Sequence, residues 1–146
     1  MPNAYSSNAL MLAISELANR TIQVRLHYGD PGNAGTANAI HASNGYAHEI
    51  LARGAITQES GSRYSNTADI EWNPASGGNW GDGSNDQPVS WITLWYDASD
   101  AANTDANNFD TLMATLRLAS SQQVNDGDPF VLRARTLDLV SLNPSV

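Results

Sequence analysis

The stretch Ile22-Gln23-Val24-Arg25-Leu26-His27-Tyr28-Gly29-Asp30-Pro31-Gly32-Asn33-Ala34-Gly35 decides how this chain folds. Its first seven residues alternate apolar and polar, the period of a strand with one face buried. Ile22, Val24, Leu26 and Tyr28 take one face; Gln23, Arg25 and His27 take the other, which reads as the outward one. Asp-Pro-Gly then stops the strand. Proline lacks an N–H and fixes φ, and glycine accepts positive φ, so a tight turn is expected with Gly32 at its left-handed position.

Upstream, residues 1–7 form a polar arm. Ser6 or Ser7 can cap a short helix over residues 8–19, with Leu10, Ile14 and Leu17 at helical spacing. About three turns of helix do not stand alone in water, so this face must pack on its own sheet or on a neighbour.

Downstream the pattern is mostly β. Residues 46–56 stay open on pattern alone, since Tyr46, Ile50 and Leu51 also suit a helical turn. Ala68, Ile70 and Trp72 alternate with Asp69, Glu71 and Asn73. Val89–Tyr96 is apolar on both faces, as a strand covered on both sides must be. Leu112, Ala114, Leu116 and Leu118 alternate with Thr111, Met113, Thr115 and Arg117. Asn125-Asp126-Gly127-Asp128-Pro129 reads as a hairpin turn. After it, Phe130, Leu132, Ala134 and Thr136 share one phase, whereas Leu137 and Leu139 share the other, a slip expected of a β-bulge near Thr136. Residues 143–146 read as a tail.

Five or six strands without βαβ alternation predict an all-β fold. The expected architecture is an antiparallel β-sandwich or jelly-roll-like barrel with one short N-terminal helix, in a single domain spanning residues 1–146. The expected core is Ile22, Val24, Leu26, Ile70, Trp72, Trp91, Leu116 and Leu132.

Composition narrows the function. The net charge is -8, with no lysine and seven scattered arginines. Phosphate contacts need clustered cations, so no nucleic-acid partner is expected. No apolar run reaches a membrane span, no signal-peptide pattern is present, and the absence of cysteine excludes disulfides and thiolate metal sites. Only 15% of residues are charged. Such a surface, polar through Asn, Ser, Thr and Gly, suits a protein packed against partners.

Candidate chemistry is thin. His27, His41 and His48 lack metal-ligand spacing and read as surface or interface residues. The Asp-rich loops around Asp82, Asp97 and Asp126 lack the EF-hand pattern and read as turn formers. Asp69 and Glu71 share a strand face, as glycosidase carboxylates could, but match an ordinary solvated face. No catalytic residue, cofactor or metal is assigned. Trp80, in the loop Asn79-Trp80-Gly81-Asp82-Gly83-Ser84-Asn85, lies outside any strand phase. It reads as an interface or sugar-stacking anchor, or as a ring folded back over one end of the sandwich. Partner contacts are expected at Tyr5, Leu10, Ile14, Trp80, Asp82 and Asn85.

Several motifs in order carry a resemblance. They are Leu-His-x-x-Asp-Pro-Gly-x-x-Gly at 26–35, Gly45-Tyr46-Ala47, Trp72-Asn73-Pro74, Asn79-Trp80-Gly81, the strand 89–96 entering Asp97-Ala98, and Val124-Asn125-Asp126-Gly127-Asp128. From about residue 7 to 142 the chain resembles a family of small structural proteins of tailed-phage virions, described as tail-fibre or head-decoration proteins. It departs from them where Asp82–Pro88 follows Trp-Gly and where the loop over 97–110 is enlarged. The resemblance implies a strand after Gly45-Tyr46-Ala47, within residues 46–56, and a virion structural role without catalysis, in a protein made in the host cytoplasm. The expected function is capsid decoration, cementing capsomers through contacts with the major capsid protein and with its own copies, as a trimer or dimer. The alternatives are a tail-fibre or tail-tip component, or a carbohydrate-binding module, contacting host glycan.

Overall fold

The computed structural model describes residues 19–60 and 63–140. The expected arm, helix and C-terminal tail lie outside them, as do Tyr5, Leu10 and Ile14. Within them the fold is all-β. The strands are β1 (Ile22–His27), β2 (Glu49–Leu51), β3 (Ile56–Ser60), β4 (Arg63–Asn66), β5 (Ile70–Trp72), β6 (Val89–Tyr96), β7 (Thr111–Gln122), β8 (Phe130–Leu132) and β9 (Leu139–Val140). They form a four-stranded sheet in the order β2-β1-β6-β7, a three-stranded sheet β3-β4-β9 and the pair β5-β8. Every pairing is antiparallel.

One apolar cluster joins the three sheets. The four-stranded sheet contributes Ile22, Val24, Leu26, Ile92 and Leu94; the other sheets contribute Ile56, Ile70, Trp72, Phe130 and Leu139. Register explains the selection. Val24 lies opposite Leu94, and Leu26 opposite Ile92, so the apolar set of β1 meets the apolar set of β6 on one face. The doubly apolar β6 is indeed interior, between β1 and β7.

Trp91 and Leu116, both expected in the core, are only half-buried. Trp91 follows the phase of Thr93 and Trp95, on the face away from the cluster. Leu116 belongs to β7, which among the described residues is an edge strand.

The chain leaves the main sheet where hairpins or bulges are expected. At Asn125–Asp128 a turn does form, closed by the Asp128 N–H on the Asn125 carbonyl at 2.8 Å, with Gly127 at φ 88°. It is not a hairpin: β7 and β8 lie in different sheets. The phase slip near Thr136 is not a bulge either. β8 ends at Leu132, Arg135 takes φ 68°, and the chain crosses to pair β9 with β4. Asn66, 1% exposed, holds this crossing. Its side-chain amide donates to the Arg133 carbonyl, and its Oδ1 accepts from the Leu137 N–H. A true bulge occurs in β7 instead. Trp95 pairs with Leu112 and Leu94 with Ala114, leaving Met113 as the extra residue.

The turn after β1 forms around Gly32 at φ 73°, whose N–H donates to Asp30 Oδ1 at 2.8 Å. Gly35 shares that φ but is far more confined. A Cβ there would lie 2.7 Å from Leu112 and 3.2 Å from Trp95, whereas one at Gly32 would meet nothing within 4 Å. Gly32→Ala should therefore cost only left-handed strain, about 1–2 kcal/mol. Gly35→Ala should cost at least about 1 kcal/mol more through overpacking. Urea unfolding of the two variants checks the order.

Candidate functional site

The polar face of β1 does not meet solvent. Gln23 and His27 are fully buried and Arg25 half-buried, contrary to the outward and surface readings. Two loops fold over this face. From the loop 97–110, the Ala106 carbonyl accepts from Gln23 Nε2 at 3.0 Å and the Phe109 carbonyl from Arg25 Nη2 at 2.7 Å. From the loop 29–39, the Ala37 carbonyl lies 2.8 Å from His27 Nδ1. A carbonyl only accepts, so Nδ1 carries the proton. His27 Nε2 then accepts from the Thr93 hydroxyl at 2.8 Å, while the Thr93 oxygen accepts from Trp95 Nε1 at 2.7 Å. The Arg25 guanidinium stacks 4.0 Å from the centre of the Trp95 ring.

This layer fixes the charge of His27. Burial pushes its pKa down, and nearby Arg25 adds to the effect against a partial offset from Ala37. His48 is also pushed down, first by desolvation and then by Arg25 and His27. Its Nδ1 lies 3.0 Å from the Tyr46 hydroxyl, which accepts from the Leu26 N–H. His48, exposed as a residue though held down to about 4, shares the consequence for stability with the fully buried His27.

Trp80 presents no ring to a partner. It is 1% exposed, donates Nε1–H to the Asn44 carbonyl at 3.0 Å and packs edge-on against Tyr46 at 5.1 Å. The loop residue is folded back onto the core. Asp82 shapes its own loop: Oδ1 accepts from the Ser84 and Asn85 N–H groups, which holds the carboxyl below its usual range. Asn85 is exposed on that loop. Asp97 and Asp105 likewise accept from N–H groups two residues on. Asp69 accepts from the Ala134 N–H and pairs with Arg133 at 3.0 Å, which lowers its pKa and leaves it no proton to donate near neutral pH. Among the described residues no three His, Asp or Glu gather as a metal site, and no helix is long and apolar enough to cross a membrane.

A cleft of about 630 Å³ lies where β7 ends the main sheet. Trp91, Thr115 and Arg117 line it from the polar face. Ile92 and Leu116 line it from the opposite face, so the cleft wraps the edge that β7 forms among the described residues. The turn at Asp30–Asn33 and the segment Thr136–Asp138 complete it. Alternation assigned Trp91 to the core and so concealed this site. Its signal was the polar company it keeps in phase, Thr93 on β6 and Arg117 opposite.

A family model described as podophage GP4 fiber I protein gp80 matches residues 7–140, a span that includes all nine strands. The chain belongs to that family. No curated protein matches it. Membership in a phage fibre family supports a non-enzymatic structural role in the virion. In this fibre-family protein the buried polar layer is therefore architecture, serving to fasten loops.

That layer sets a pH dependence. An unfolded histidine titrates near 6.5, and His27 in the fold titrates lower. Below about pH 6.5 the unfolded chain takes up a proton that the fold refuses, so stability falls as pH falls. Between pH 7 and 5 the urea midpoint should decline, with His48, held down to about 4 by desolvation, adding to His27 and the Glu49 carboxyl, raised by burial, opposing both. His27→Gln should flatten the decline, and equal slopes would contradict the assignment.

Proposed function

We propose that this protein is a building block of a phage tail fibre, assembling with further copies of itself. The observation that carries the reading is the family match, whose description names a fibre protein and whose span covers nearly the whole chain. The surface is consistent with it. With 15% of residues charged and many Asn, Ser and Thr side chains, much of the surface can meet a neighbour through neutral hydrogen bonds. The loops over 29–39 and 97–110 are held by buried hydrogen bonds, so they offer fixed shapes to a neighbour, with little ordering entropy to lose on contact.

The rival placement is decoration of the capsid exterior through the major capsid protein. The two differ in copy number and in place. Antibody-gold labelling of intact virions, with quantitative gels of separated heads and tails, should find few copies, all on the tail. Copies on tail-free heads in numbers matching the capsid lattice would overturn the fibre reading.

A further inference from the structure

We propose that Asn44-Gly45 is a latent deamidation site, held closed by the folded chain, whose conversion to isoaspartate unfastens Trp80 from the core. It is the only Asn-Gly pair in the sequence. Glycine presents a backbone nitrogen with no side chain beside it, so that nitrogen can attack the amide carbon of the preceding asparagine. The bond from the Gly45 nitrogen to Asn44 Cγ forms, the Cγ–Nδ2 bond breaks, and Nδ2 leaves as ammonia with the Gly45 amide proton. Water then opens the succinimide at either carbonyl, giving aspartate or isoaspartate. The inference rests on the fold and is independent of the fibre reading.

The fold commits the Asn44 amide elsewhere. Asn44 takes φ 53° and Gly45 φ 82°, and the Tyr46 N–H donates to the Ser43 carbonyl at 3.0 Å. Positive φ at both central residues is the type I′ geometry that Asn-Gly favours. The Asn44 side chain reaches across to the next loop, where Nδ2 donates to the Asn79 carbonyl at 2.6 Å. Gly78 packs against the same amide, and a Cβ there would lie 2.9 Å from Nδ2. Among the described residues the Gly45 N–H makes no hydrogen bond, so the bar lies in the turn and the side-chain tie. The five-membered ring requires the Gly45 nitrogen and Asn44 Cβ to eclipse about the Asn44 Cα–C bond. That rotation leaves the type I′ turn and gives up the bond to Asn79.

The product does not seat as Asn44 does. The Asn44 carbonyl accepts from Trp80 Nε1 at 3.0 Å and from the Ser76 N–H at 2.9 Å. In isoaspartate the chain runs through Cβ and Cγ, which adds a methylene to the turn and makes that carbonyl part of a carboxylate off the main chain. In aspartate an oxygen replaces the Nδ2 donor and faces the Asn79 carbonyl, acceptor against acceptor. Trp80 is 1% exposed and packs on Tyr46 and Phe130. Displacing its acceptor leaves a buried indole N–H unpaired, which costs free energy that only loosening of the loop recovers.

The test ages the full chain in mildly alkaline buffer, folded and in unfolding urea, and maps isoaspartate by peptide mass spectrometry and isoaspartyl methyltransferase labelling. Mapping by peptide separates Asn44 from the Asp-Gly pairs at 82–83 and 126–127. Conversion at Asn44 should be roughly tenfold or more slower in the folded chain, tenfold being about 1.4 kcal/mol of local opening. Gly78→Ala, which crowds the Asn44 amide, should raise the folded rate several-fold. The isoaspartate fraction, separated by ion exchange, should melt lower than the parent and be cleaved faster within residues 74–88. Asn44→Gly, which suits the turn and lacks the amide, should show no such ageing. Three results would each overturn the proposal: equal rates in the folded and unfolded chain, no conversion at Asn44 in the unfolded chain, or an isoaspartate fraction that melts and is cleaved like the parent.

Discussion

The Thr93 hydroxyl is the constraint on which the rest of this structure depends. It sits fully buried on β6, an interior strand of the four-stranded sheet, accepting from the Trp95 indole and donating to His27. Both partners are buried as well, His27 at 0% and Trp95 at 6% exposure. The Ala37 carbonyl fixes the tautomer of His27, the Thr93 hydroxyl donates to the Nε2 left free, and His27 so bonded ties the loop 29–39 to the sheet. On the same face Gln23 and Arg25 fix the loop 97–110. A sheet with one apolar face and one buried polar face holds its core by area and its loops by hydrogen-bond geometry.

This division places the cleft. The turn at Asp30–Asn33 belongs to a loop that cannot drift, because Gly35 packs within contact of Leu112 and Trp95 and Ala37 is bonded to His27. The opposite wall, Thr136–Asp138, is set by Asn66 holding the crossing into β9. Two buried polar side chains, His27 and Asn66, thus hold the two sides of an opening lined by the half-buried Trp91. Preorganised walls reduce the ordering cost of any ligand that enters.

Much of this was legible in the sequence. Alternation in Ile22–His27 and Ile70–Trp72, and the double apolarity of Val89–Tyr96, gave strands where strands stand, and six of the eight expected core residues are buried. The errors share one physical origin. Alternation separates apolar from polar, but it does not tell whether the polar side meets water or a loop. Gln23 and Arg25 read as outward because their cover comes from residues 97–110, far along the chain, and His27 because the loop 29–39 folds back over it. Trp91 read as core because it is apolar in phase with strand neighbours, whereas its side of the sheet is the polar one. β3 and β4 escaped notice because Thr57-Gln58-Glu59 and Arg63-Tyr64-Ser65 carry almost no apolar signal. Their pairing is decided by β9 and by the cluster around Ile56 and Leu139. Trp80, with no phase to follow, was resolved only by the core cavity it fills against Tyr46 and Phe130.

Thr93→Val tests this account most directly. The substitution keeps the shape and removes one hydroxyl, leaving the Trp95 N–H and the His27 Nε2 without their partner. Each orphaned buried group costs about 1–3 kcal/mol. Urea unfolding at pH 7 should show a loss of about 2–4 kcal/mol with the m-value unchanged. A variant within about 0.5 kcal/mol of the parent, the scatter expected of an inconsequential site, would show that the loops do not depend on this hydroxyl.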